Sequence, residues 1–191
     1  MPFVLSNTTI YPSDLLDDFD VLDRERHWWV AYTKVRQEKR LAEDLICRDV
    51  PFYLPLIERS RIYRGRRLRS QEPIFGSYVF LFADQRERAR ALTTNRIAHL
   101  LPVADGRRLY DDLVQVKRLI AANVPLTVEA RLQPGMRVRV RHGCFAGIEG
   151  IVESRCRQTR LIVAIDFLQR GISVELDDIT LEPIGSVERC L

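Results

Sequence analysis

Hydrophobic and polar positions change rhythm several times along the chain. Trp28 to Thr33 reads WWVAYT, a short aromatic and β-branched run that predicts a buried strand. From Val35 to Asp49 the apolar positions Val35, Leu41, Ala42, Leu45 and Ile46 recur at helical spacing. Lys34, Arg36, Gln37 and Arg40 crowd the other side of the first turns, so this segment predicts an amphipathic helix with a basic flank. Pro51 stops that helix, and Phe52 to Ile57 resumes extended structure. Glu58 to Ser70 places six arginines (Arg59, Arg61, Arg64, Arg66, Arg67, Arg69) around Gly65, which predicts a basic hairpin tip. The run IFGSYVFLF from Ile74 to Phe82 is again β-prone. Asp84 caps a helix through about Leu92, and Tyr110 to Asn123 sets Leu113, Val116 and Ile120 on one helical face. Strands alternating with helices predict an α/β layer structure over residues 26–122.

Beyond Asn123 the texture changes. VPLTVEARLQPG carries Pro125 and Pro134 and no helical period, which sets a linker at 123–131. Six of the nine glycines follow it and separate the short runs Met136 to Arg141, Ile148 to Glu153, Leu161 to Phe167 and Ile172 to Leu176. Such spacing predicts a small β-barrel over 132–185. At the other end, residues 1–25 lack a sustained period, although Leu15, Leu16, Phe19 and Leu22 fall at helical spacing. They read as a disordered extension or as a short acidic amphipathic helix, in either case removable without unfolding the rest.

Composition narrows the function. At 191 residues and 22.3 kDa the chain builds one ordinary core or two small ones, not a large multidomain enzyme. Its longest apolar stretches fall far short of the roughly 20 residues of a membrane helix, and no leader opens the chain, so a cytoplasmic protein without a membrane partner is expected. The four cysteines form no Cys-x-x-Cys pair and the chain has three histidines; reduced thiols are expected, with no metal site. The net charge of +4 conceals a segregation: residues 1–25 carry −5, 26–71 carry +7, 72–131 carry +2 and 132–185 are neutral. Nearly all the positive charge is arginine, which suits bidentate contacts to phosphate and equally fits a GC-rich genome. No phosphate loop, nucleophile elbow or His-Glu-x-x-His is present, so neither catalysis nor a cofactor is expected.

Three segments carry a family resemblance. Trp28 to Lys39 (WWVAYTKVRQEK), Tyr53-Leu54-Pro55 and Glu72 to Phe80 (EPIFGSYVF) resemble the amino-terminal domain of the NusG transcription elongation factors. Pro134 to Val152 is similar to their KOW motif, and Arg160 to Val163 with Ile172 to Leu176 resembles the rest of that barrel. The resemblance implies an α+β protein: a ferredoxin-like α/β sandwich followed by a small SH3-like β-barrel. It further implies a monomer whose first domain seats the clamp helices of RNA polymerase in an apolar pocket. Tyr32, Phe75 and Tyr78 match that pocket, although aromatics on β-prone runs also serve as ordinary core. Phe75-Gly76-Ser77-Tyr78 departs from the family's usual Phe-Pro-Gly-Tyr, which loosens a proline-fixed turn beside the pocket.

The Thr-Lys-x-Arg-x-Glu-Lys opening and the Arg-rich hairpin look more like the specialised RfaH-like antiterminators than the general factor. Those paralogues touch the non-template DNA strand with the basic flank of the first helix. Lys34, Arg36, Gln37 and Arg40 occupy that flank, with Arg96 beside it. Phe145, in the KOW loop, matches a partner contact, which in the family is a small-subunit ribosomal protein or, in general members, the Rho terminator. Two other readings are a general NusG acting in Rho-dependent termination and coupling to translation, and a KOW-containing ribosomal or RNA-binding protein. The segment from Trp28 to Phe82 argues against the last.

Overall fold

A computed structural model of the chain describes residues 8–19, 25–64, 66–122, 126–129, 136–140, 146–155, 158–165, 168, 170–175 and 181–183. It is a mixed α/β structure with two units, residues 1–110 and 111–191.

The first unit is built on a five-stranded sheet. Its strands are β1 (Ile10–Tyr11), β2 (His27–Thr33), β3 (Phe52–Tyr53), β6 (Tyr78–Ala83) and β7 (Ile97–Pro102), in the antiparallel order β1-β3-β6-β2-β7. Helix α1 (Glu38–Cys47) connects β2 to β3, and α2 (Gln85–Leu92) connects β6 to β7. Strand period two splits the central strands between two faces. Ala31, Val79, Leu81 and Ala83 belong to a buried cluster with Leu41, Ala42 and Leu45 of α1, Phe52, Leu54 and Ala91. Phe80 is fully buried, and Trp28 meets Phe82 with ring centroids 5.2 Å apart on the alternate positions. Among the described residues no helix is long and apolar enough to cross a membrane.

Helix α1 is shorter than its sequence pattern predicts. Arg36 takes φ +56° and ends the preceding turn, so Val35 is 80% exposed instead of lying on the apolar face of a helix. At the other end Asp49 adopts φ +53°, and Val50 N–H reaches back to the Leu45 carbonyl, a left-handed stop of the kind glycine usually supplies. The start of α2 follows expectation. Asp84 accepts from Glu87 N–H and Glu87 accepts from Asp84 N–H, a reciprocal capping box. The Glu87 amide holds the Asp84 carboxyl below the usual carboxylate range. Buried Glu87 also takes a two-pronged hydrogen bond from Arg26, at 2.9 and 2.7 Å, which pins the entry to β2 against α2.

Besides α1, three further segments up to α3 differ from the sequence reading. β7 lies where no strand was expected. α3 (Gly106–Ala121) begins four residues earlier than its pattern suggested, and Trp28 Cδ1 would stand 3.3 Å from a Cβ placed on Gly106. The leader is no free extension over its described part: Leu15 and Leu16 are buried, Leu54 N–H binds the Thr9 carbonyl at 2.6 Å, and Phe19 packs edge-on to Tyr110. Tyr11 Oη donates to Asp49 Oδ1, a bond that raises the phenol's pKa because it uses the proton. Acidic composition suggested disorder, but the apolar residues inside it found a sheet edge to cover.

Between β3 and β6 the chain leaves the sheet as a separate hairpin, β4 (Leu56–Tyr63) and β5 (Arg66–Pro73), paired from Leu56↔Pro73 to Tyr63↔Arg66.

The second unit holds an antiparallel sheet of β8 (Leu126–Glu129), β9 (Met136–Val140), β10 (Glu149–Arg155), β11 (Gln158–Ile165), β12 (Arg170–Glu175) and β13 (Leu181–Pro183), ordered β13-β9-β10-β11-β12-β8. Among the described residues of this sheet and its turns, Val138, Val140, Ile148, Val163 and Ile172 are buried. Gly147, at φ +81°, makes the turn between β9 and β10, where its N–H binds the Val140 carbonyl at 2.8 Å. β8 falls inside the stretch expected to be a linker, because Leu126–Glu129 pairs with β12.

Candidate functional site

One end of the first unit's sheet gathers the residues singled out by sequence. Tyr32, near the end of β2, is the cross-strand partner of Tyr78 on one side and of His99 on the other. Its ring lies 5.3 Å from that of Tyr78 and is stacked at 6.3 Å and 24° on His99. Tyr32 is 39% exposed, Tyr78 half-buried and His99 exposed, so three aromatic rings form a surface strip. Such rings offer a large apolar area at low entropic cost, with polar edges to orient a partner. Phe75 does something else: it is buried, edge-on to Phe80 at 6.4 Å, and supports the turn from within the core.

That turn is held without proline. Ser77 takes φ +67°, a left-handed conformation that glycine adopts without strain. Its amide donates to Glu38 Oε1 at 2.8 Å, and its carbonyl accepts from Thr33 N–H at 2.8 Å. Glu38 is buried at the first turn of α1, so one carboxylate ties the helix start to the aromatic strip. Lys34 N–H then binds the Arg96 carbonyl at 2.8 Å, which joins the segment before α1 to the loop before β7.

The basic residues at this junction divide by partner. Arg96 donates through Nε to Asp44 Oδ2 at 2.5 Å and through Nη1 to Gln37 Oε1 at 2.7 Å, so both Arg96 and Gln37 serve to clip α1 to the loop before β7. Lys34 Nζ donates to Asn95 Oδ1 at 2.9 Å and stays exposed. Arg36 and Arg40 are exposed and have no partner among the described residues. Two guanidiniums without a partner among the described residues and one accessible ammonium therefore lie on the segment that follows Tyr32 in the chain. This pattern suits a ligand with an apolar knob and a nearby run of negative charge.

The sequence comparison falls on this unit. Residues 26–117 match the family model described as transcription termination factor NusG. Over these residues the chain belongs to the NusG family. Among solved structures it is similar to one described as the crystal structure of the MjSpt4:Spt5 complex in conformation A. The two share 14% identity over 82% of this chain and 98% of that one, with a TM-score of 0.30. That score is too low for the likeness to carry a structural argument.

Within the NusG domain the sequence reading missed His99, Glu38 and Lys39. Lys39, half-buried on α1 beside Arg40, adds a third cation without a partner among the described residues. The mostly apolar run IAHLLP, bounded by the Asn95 turn and Pro102, was the signal for β7, and with it for His99. Glu38 gave no signal, since its role depends on a turn thirty-nine residues away. Phe145 lies outside the described residues.

Proposed function

We propose that this chain is a transcription elongation factor of the antiterminating kind, which docks on RNA polymerase through Tyr32, Tyr78 and His99 and lays Arg36 and Arg40 along the exposed non-template DNA strand. The observation that carries the reading is the surface strip of Tyr32, Tyr78 and His99, followed in the chain by exposed arginines without a partner among the described residues, on a segment that matches the NusG family model. Aromatic side chains in this setting are typical anchors, each worth on the order of 2 kcal/mol at a protein interface. Phe75 would shape the seat from below, and Gln37 and Arg96 would hold the basic flank in place. The sheet order β3-β6-β2-β7 with its two connecting helices supports a ferredoxin-like sandwich over 26–122. The Gly-punctuated strands of the second unit support an SH3-like KOW barrel that recruits a partner of the translation machinery.

Such a protein acts by binding alone. A ligand that holds the polymerase more tightly in its elongating state than in its paused state by about 1.4 kcal/mol shifts the ratio of the two tenfold. The test is co-purification of folded Tyr78→Asp with RNA polymerase, together with elongation assays with and without Rho. Loss of co-purification and of pause suppression is expected; a variant that binds and suppresses pauses like the parent refutes the docking surface. Replacing Arg36 and Arg40 by Ala should leave polymerase binding in place and weaken the non-template contact, lowering the salt slope by about 0.7 for each phosphate lost.

A further inference from the structure

The hairpin β4–β5 takes no part in the site described above, and its charge is sorted along its length. Near the root, Arg59 faces Glu72 at 3.6 Å and Arg69 faces Glu58 at 3.5 Å, so these two arginines are balanced. Beyond them Arg61, Arg64, Arg66 and Arg67 follow with no acidic residue anywhere from 59 to 71. Arg66 is exposed without a partner among the described residues. Arg67 Nε donates only to the neutral Ser60 Oγ, at 2.8 Å, and Arg64 stands over the Tyr63 ring at 5.4 Å. None of the three has an acidic partner among the described residues.

A merely solvated arm has no reason for this arrangement. Interspersed acids would relieve the mutual repulsion of the four guanidiniums, and they are present at the root but missing from the tip. The same tip exposes three large apolar residues, Ile62 at 82%, Tyr63 at 59% and Leu68 at 53%. Ile62 lies opposite Arg67, Tyr63 opposite Arg66 and Leu68 opposite Arg61, so every cross-strand pair at the tip joins one apolar residue to one arginine. Cations interleaved with apolar groups on both faces of a ribbon match a polyanion that also presents flat or methylated apolar edges.

Ribbon geometry narrows the ligand further. Eight residues per strand give a length of about 26 Å, and two strands lie about 5 Å apart. A two-stranded ribbon enters the major groove of B-form DNA, about 12 Å wide, whereas the major groove of A-form RNA is too narrow for it. We infer that β4–β5 is a second nucleic-acid site, distinct from the α1 flank, which grips double-stranded DNA by placing Arg64, Arg66 and Arg67 on the phosphates bordering a major groove.

The test uses the full chain and a 30-base-pair DNA duplex without polymerase, with affinity followed by fluorescence anisotropy across a salt series. Combined Arg64→Ala, Arg66→Ala and Arg67→Ala should weaken duplex binding at least tenfold and flatten the log–log salt slope by about 2.7. Arg66→Ala alone, at an exposed residue without a partner, guards against misfolding and should flatten it by about 0.9. The assay contains neither polymerase nor a single strand, so a failure of the proposed non-template contact is read separately. Duplex affinity unaltered in the triple variant overturns the inference, as does equal binding to double-stranded RNA of the same sequence. Loss of polymerase co-purification with unchanged DNA affinity also overturns it, and would assign the tip to an acidic protein surface.

Discussion

Ser77 shows how one residue sets the geometry of the candidate interface. A β-carbon in the left-handed region costs about 1–2 kcal/mol, and glycine would avoid that cost while adding some unfolded-state entropy. Ser77→Gly is therefore expected to stabilise the protein by about 0.5–1 kcal/mol, read as a higher midpoint in denaturant unfolding with an unchanged slope. The hydrogen bonds that hold the turn come from its backbone and would survive the change. A lower midpoint would mean that the serine side chain supports the turn in a way its backbone angles do not reveal. Phe75 and Arg96 make the complementary point. The family resemblance marked both for recognition, yet one is buried against Phe80 and the other is committed to Asp44 and Gln37, because a side chain's partners are set by residues distant in sequence. Tyr32 and Tyr78, marked by the same reasoning, do reach the surface, and they do so side by side.

Among the elements, those with a strong local signal were legible. β2, β6, α2 with its capping box, and the Arg-rich hairpin lie where period, turn residues and cap predict them. β1, of two residues, was not separable from loop, since a strand that short exists only through its neighbour, whereas β3 falls inside the extended stretch expected from Phe52. The docked leader is the most consequential case. Leu15 and Leu16 are buried, β1 extends the sheet beyond β3, and Arg107 stands 4.6 Å over the Phe19 ring. Removing residues 1–19 is expected to cost about 3 kcal/mol of stability from the two leucines alone, measured by thermal or denaturant unfolding. An unchanged stability would return this segment to the free extension that its acidity suggested.

The whole molecule is a division of charge and task. The NusG domain lies in the half that carries the positive charge, while residues 132–185 are neutral and supply β9 to β13 of an antiparallel sheet that β8 completes. Because the proposed docking surface uses only residues of the first unit, disrupting the second sheet should spare it. Val163→Asp buries a carboxylate in that sheet and is expected to abolish its calorimetric transition while polymerase co-purification persists; loss of both together would show that the surface depends on the whole chain. Local chemistry was enough to announce an α/β half followed by a β half, a basic hairpin and the segments that carry the family resemblance, since hydrophobic period, turn residues and charge are properties of short stretches. Which aromatics are exposed, which arginines are free, and that the acidic leader closes a sheet edge were settled by packing. Those outcomes depend on pairs such as Glu38 with Ser77, Arg96 with Asp44 and Tyr11 with Asp49, which meet only once the sheet has assembled.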